Sequence, residues 1–155
     1  VDGVSPVTFN NIATGNYTIA VRHRNHLGLS TDPTAFNNLF GETKSTATLV
    51  DMSAATDPQL FGSSAAYTVS GDGRNLLWGG NANVNTTTKY QGAGNDPATL
   101  LTDLSNNQLG VLNGYIRSDV TMNGQAKYQG AGNDRVFILN VLGNNQLLIR
   151  NQELH

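Results

Sequence analysis

The chain has 155 residues and a mass of 16.5 kDa, room for one ordinary domain or two very small ones, with a net charge of −2 and only 13% charged residues. Asn (20), Gly (17) and Thr (16) supply about a third of it, a composition of turns and strands rather than long helices. No basic patch points to nucleic acid, no apolar run approaches the roughly 18 residues of a membrane span, and the absence of cysteine excludes disulfides, thiolate metal sites and Cys nucleophiles.

The chain opens on Val1, as expected of a processed or excised piece. Residues 6–10 alternate around Val7 and Phe9, the pattern of a strand. A polar stretch follows, and Tyr17-Thr18-Ile19-Ala20-Val21 then reads as a strand with Tyr17, Ile19 and Val21 on one face. The apolar pattern stops at Arg22, His23, Arg24 and His26. Residues 46–50 predict another strand. Tyr67-Thr68-Val69 leads through the Gly71-Asp72-Gly73 turn signal to Leu76-Leu77-Trp78. No helical period is sustained here, so residues 1–78 are read as a β-sandwich-like unit.

Residues 79–155 carry an internal repeat. Lys89-Tyr90-Gln91-Gly92-Ala93-Gly94-Asn95-Asp96 recurs without change as Lys127-Tyr128-Gln129-Gly130-Ala131-Gly132-Asn133-Asp134, a period of 38 residues. Each unit, about 81–107 and 119–145, reads as a polar loop followed by a short amphipathic helix. Asn95-Asp96 and Asn133-Asp134 offer capping groups, and Pro97 suits a first helical turn. Leu100, Leu101 and Leu104 form one apolar stripe; Phe137, Ile138, Val141 and Leu142 form its counterpart. Asn106-Asn107 and Gly143-Asn144-Asn145 end the helices.

Asp119-x-Thr121-x-Asn123-Gly124 is the opening of an EF-hand-like calcium loop. Oxygens at positions 1, 3 and 5 turn to one centre, Gly at position 6 permits the sharp turn, and Gln125 at position 7 offers its carbonyl. The twelfth position is Gly130, so the closing acid is expected from Asp134 in an enlarged loop. In the first unit the matching residues are Asn81, Asn83, Asn85 and Thr87, closed by Asp96. Neutral oxygens there predict weaker calcium binding than in the second loop. The alternative for both units is that Asp96 and Asp134 are plain helix caps and the Asn side chains make Asx turns.

The run Asp119-Val-Thr-Met-Asn-Gly-Gln-Ala-Lys-Tyr-Gln-Gly-Ala-Gly-Asn-Asp-Arg135, followed by Ile138-Leu139 and Leu142-Gly143, resembles the duplicated dockerin-like segment of secreted surface proteins from Bacteroidota. The stretch from Gly15 to Gly28 resembles the β segment that precedes it there, and Trp78-Gly-Gly-Asn-Ala-Asn83 resembles the family's approach to the first loop. The resemblance implies export, a cell-surface or extracellular location, and calcium in the loops. It carries no catalytic residue over to this chain.

Arg22, His23, Arg24 and His26 are read as a solvated strand end with arginines bridging to loop carbonyls. No Gly-x-Ser-x-Gly elbow or phosphate loop occurs, so no enzyme is expected. Asn16-Tyr-Thr18 and Asn85-Thr-Thr87 are formal glycosylation sequons. The expected fold is mainly β with short helices. The expected function is an extracellular structural or adhesive protein, stabilised by calcium, that assembles with other copies of itself through an open sheet edge near residues 4–9, into a filament or surface array. The alternative is a monomeric dockerin-like module that binds a surface scaffold protein or a glycan.

Overall fold

The computed structural model describes residues 13, 15–34, 51–53, 60–63, 66–68 and 73–154. The strands expected at 6–10 and 46–50, and the sheet edge at 4–9, lie outside the described residues. The described part is mainly β, built from short antiparallel strands in two-stranded sheets, with two short helices.

Strand β1 (Ala20–Val21) pairs with β2 (Leu29–Ser30), Ala20 opposite Ser30 and Val21 opposite Leu29. The strand is shorter than the expected 17–21. Ile19 and Thr31 are bonded both ways, but the Ile19 amide donates to the Thr31 hydroxyl (3.0 Å) while the Thr31 amide donates to the Ile19 carbonyl (2.9 Å). A side-chain acceptor replaces the backbone one, so the regular ladder stops. The strand ends at Val21, before the arginines, and the chain turns at Arg24-Asn25. The pair β3 (Ala66–Thr68) and β4 (Asn75–Leu77) lies antiparallel where the sequence predicted two strands around a Gly-rich turn.

The second half repeats one arrangement 38 residues apart. Strand β5 (Thr87–Lys89) sits inside the first loop, helix α1 (Asp96–Asp103) follows, and β6 (Val111–Asn113) comes after it. Strand β7 (Gln125–Lys127), helix α2 (Asp134–Val141) and β8 (Ile149–Asn151) stand at the equivalent positions. The strands pair by exchange between units: β6 with β7 and β8 with β5. The registers match as well, since Gln125 faces Asn113 and Thr87 faces Asn151.

Local chemistry explains why both copies fold alike. Asn95 and Asn133 are the helix N-caps, with extended backbone, and their Oδ1 atoms accept the amides of Ala98 (2.8 Å) and Val136 (2.9 Å). Their Nδ2 atoms donate to the Gly92 and Gly130 carbonyls, so one amide clips loop and helix together. At the far ends Ser105 and Asn106, and Gly143 and Asn144, take left-handed backbone. The Asn106 and Asn144 amides then reach the Leu101 and Leu139 carbonyls, satisfying carbonyls the helix leaves open.

Among the described residues, two clusters of buried side chains span the repeat units. Ala82, Val120, Ile138 and Leu142 make one, with Tyr90, Phe137 and Leu148 against it; Leu100, Leu104 and Ala126 make the other, with Ile116 and Tyr128. Tyr90 and Tyr128 are both partly buried, and α1 packs on α2. Each cluster draws on both repeat units, so neither unit closes its core alone.

Ile138 is fully buried at this junction. Ile138→Ala should cost about 2–4 kcal/mol of unfolding free energy. It should leave a single cooperative transition in urea, monitored by far-UV circular dichroism. Separate transitions for the two units would mean that they do not depend on one another.

Candidate metal centre

In the second loop three of the expected ligand residues meet. The Thr121 hydroxyl lies 3.1 Å from Asp119 Oδ1 and 3.0 Å from Asp134 Oδ1, so the two carboxylates share one hydroxyl. Asp119 and Asp134 are 1% and 0% exposed. Asp119 is held by backbone amides: Asn123 donates to Oδ1 (3.1 Å) and Gly124 to Oδ2 (2.9 Å). Asp134, the first residue of α2, accepts from the Thr121 amide at Oδ1 (3.0 Å) and from the Lys127 amide at Oδ2 (2.8 Å). The acid expected to swing back from the helix start therefore does reach the loop. Gly130 and Gly132 make this path possible, because both adopt left-handed φ in the intervening octapeptide. Asn123 turns Oδ1 to the Gln125 amide (2.9 Å), and the Gln125 side chain donates to Asn113 on the neighbouring strand (3.1 Å).

The first loop has the same closing contact and a different interior. Asp96 Oδ2 accepts from the Lys89 amide (2.8 Å) and Oδ1 from the Asn83 amide (3.4 Å). Where Asp119 accepts two amides, Asn81 accepts the Asn85 amide (3.2 Å) and also donates Nδ2 to the Asn85 carbonyl (2.7 Å). Asn83 Oδ1 also takes the Asn85 amide (3.1 Å), and Asn85 Oδ1 takes the Thr87 amide (2.7 Å) and hydroxyl (3.2 Å). The Asn83 and Asn85 bonds are Asx turns, as is the Asn123–Gln125 bond of the second loop. The octapeptide identity therefore carries over to the frame of the loop, while position 1 decides what fills it.

Among the described residues no group of three or more His, Cys, Asp or Glu side chains gathers to hold a metal. The second loop brings together a set of another kind: two carboxylates and one hydroxyl. All of these atoms are oxygens, the ligand type hard cations take, with none of the nitrogen or sulfur ligands common at zinc sites. Carboxylate oxygens that accept one or two amide protons keep lone pairs for an ion. The second loop thus gathers two carboxylates at one hydroxyl, whereas the first has one carboxylate and an Asn81 side chain bonded to its own loop.

Electrostatics separate the groups further. Burial pushes Asp96 up to about 6, against the backbone amides that favour its charged form. Asp134 is also raised, by burial first and with the nearby Asp119 charge adding to it. His26 is lowered to about 4 by burial, with His23 and Arg24 adding to the effect. His23 and His26 meet edge to face, with Nδ1 atoms 2.9 Å apart. Arg24 bridges to the Ile116 carbonyl (2.9 Å) and lies over the Tyr115 ring (3.6 Å to its centre). A small cleft of about 120 Å³, lined by Arg22, His23, His26 and residues of the first loop, opens beside this turn, away from the carboxylate pair of the second loop.

Two residues in the loops carry backbone strain. Val84 and Met122, each at position 4, have φ of 57°, a left-handed region disfavoured for any side chain and most for β-branched Val84. The amides that follow them are held by Asn81, Asn83 and Asp119, and these bonds impose the conformation.

Val84 is 51% exposed, so little packing is lost by removing its side chain. Val84→Gly should stabilise the chain by about 1 kcal/mol through relief of the left-handed penalty, measured by urea denaturation. Destabilisation would show that the valine side chain makes a contact worth more than the strain.

The raised and lowered groups oppose each other with pH. A carboxylate raised on folding contributes stability that is fully present below its unfolded value of 3.8 and is lost as pH rises to about 6, as for Asp96. A lowered histidine contributes stability above 6.5 that is lost as pH falls to about 4, as for His26. His26→Gln deletes the second slope. Its denaturation midpoint should therefore rise, relative to the native chain, as pH falls from 6 to 4. Parallel pH profiles of the two proteins would refute the assignment.

Nothing in the sequence singled out Asn25, which is buried beside Asp119 and donates to its carbonyl (2.7 Å). It sits in a charged run where an asparagine looks like one more surface polar residue. The exchange strands β6 and β8 were also not expected. Their one signal is a single β-branched apolar residue at the repeat spacing, Val111 and Ile149. Among the described residues no helix is long and apolar enough to cross a membrane. Set against protein-family models, curated proteins and solved structures, the chain matches none.

Proposed function

We propose that this chain is an extracellular, non-enzymatic structural or adhesive protein in which calcium in the second loop, and more weakly in the first, locks a pair of loop–helix units. The observation that carries the reading is the meeting of the buried Asp119 and Asp134 carboxylates at the Thr121 hydroxyl, inside a loop with calcium-loop spacing. Two nearby carboxylates repel, and a divalent cation between them would relieve both the repulsion and the burial penalty. The dockerin-like spacing of Asp119, Thr121, Asn123 and Gly124 supports the same ion and an exported protein. Calcium binding would add directly to folding stability, since the loops have few apolar residues to hold them.

Within this proposal the first half is a β-sandwich-like unit, and other copies of the chain are the partner, joined head to tail into a filament or surface array. A second reading, a monomeric docking module for a surface scaffold protein or glycan, is favoured by a different observation. Exposed apolar side chains recur at equivalent places in the two units: Leu109 and Leu147, Val111 and Ile149, Val84 and Met122. A doubled apolar surface of this kind suits a partner protein.

Calcium titration calorimetry tests the site. Asp119→Ala should weaken binding at least about tenfold, and Asn81→Ala less, because only the first removes a charged ligand. Equal effects would count against a cation at Asp119. Size-exclusion chromatography with and without a chelator separates the two readings. A large calcium-dependent assembly supports the homopolymer, whereas a calcium-bound monomer supports the docking module.

A further inference from the structure

Residues 24–27 belong to neither repeat unit, yet they touch both at matching points. The Leu27 amide donates to the Trp78 carbonyl (2.8 Å), and Arg24 Nη1 donates to the Ile116 carbonyl (2.9 Å). Trp78 and Ile116 are 38 residues apart, the repeat period. Closer to the loops, the Asn81 amide donates to the Asn25 carbonyl (3.1 Å), and Asn25 Nδ2 donates to the Asp119 carbonyl (2.7 Å). Asn81 and Asp119 are again 38 apart, and each is the first position of its loop. A single residue thus bridges the two loops at equivalent sites, through its backbone on one side and its side chain on the other.

The burial pattern indicates what the side chain does. Asn25 is 0% exposed, and its Oδ1 has no hydrogen-bond partner among the protein atoms. Ser118 Oγ, one residue before Asp119, is buried in the same state. A buried amide with one end unpaired is costly, so its presence calls for a compensating role, and here that role falls to the Nδ2 bond. That bond fixes the backbone of Asp119. The Asp119 carboxylate can aim at a cation only as well as its backbone is held.

We infer that Asn25 is a positioning residue for the cation site of the second loop, and the link that couples that site to the first loop. The inference rests on the calcium reading above and adds to it a route of coupling. An ion drawn to Asp119 tightens the Asp119 backbone, hence Asn25, hence the Asn81 amide bonded to the Asn25 carbonyl. By linkage the coupling is reciprocal: whatever loosens Asn25 weakens the ion. The turn that carries Asn25 lies between β1 and β2, so the first half of the chain sets the affinity of a site formed by the second.

The test uses the full chain and Asn25→Ala, titrated with calcium by calorimetry, with exchange of the Asn81 amide followed by NMR with and without calcium. The variant should bind calcium about tenfold more weakly, the loss expected for one buried hydrogen bond. Calcium should slow exchange of the Asn81 amide in the native chain and leave it unchanged in the variant. A purely structural asparagine would lower the unfolding midpoint without moving either readout. Equal affinities, with calcium slowing exchange alike in both proteins, would overturn the inference. No calcium binding by the native chain would remove the calcium reading itself and this role with it, an outcome distinct from the first. Should Asn25→Ala not fold, Asn25→Ser, which keeps a polar group too short to reach Asp119, is judged by the same two readouts.

Discussion

A buried carboxylate at the first turn of each helix holds the second half of this protein together. Asp96 and Asp134 have no access to solvent, and each reaches back across its loop to accept two backbone amides, one from position 3 and one from position 9. The helix start favours a negative charge there, and the amides replace the lost water. Because position 9 lies in the short strand β5 or β7, one side chain fixes helix, loop and strand at once. The strain at Val84 and Met122, and the left-handed glycines of the octapeptide, follow from closing the chain around that contact.

The exchange of strands between units extends this local frame to the whole half. The strand after each helix pairs with the loop strand of the other unit, and each core cluster draws side chains from both. Neither unit has enough apolar surface to close by itself, which accounts for the duplication: two polar loops with short helices become a closed body only as a pair. The tail after β8 continues this logic. Gln152 donates its amide to the Thr86 carbonyl and accepts the Gly28 amide, tying the first loop to the start of β2.

The two loops share a frame and differ in charge. An aspartate at position 1 of the second loop sits against the Asp134 carboxylate, whereas an asparagine at position 1 of the first supplies its own N–H to the loop carbonyl. One loop is thereby short of positive charge and the other is internally satisfied. Asn25 stands between them, bonded to both first positions, and makes the first half of the chain part of the same polar network.

The sequence by itself determined the local features. The octapeptide repeat, the Asn caps, the helix ends at Asn106 and Gly143-Asn144, and the return of the helix-start acid to its loop are all legible there, because capping and turn chemistry act over a few residues. The calcium-loop spacing was legible for the same reason. The tertiary structure decided which strand pairs with which, since strands as short as Val111–Asn113 have no pattern long enough to declare themselves. It alone brought Asn25 to Asp119, a contact 94 residues apart in the chain, which no periodicity encodes. It also shortened the strand expected at 17–21, where the Thr31 hydroxyl took the place of a backbone acceptor. Local hydrogen-bonding chemistry is written in the order of residues; pairing between distant segments is set by which buried polar groups would otherwise lack a partner.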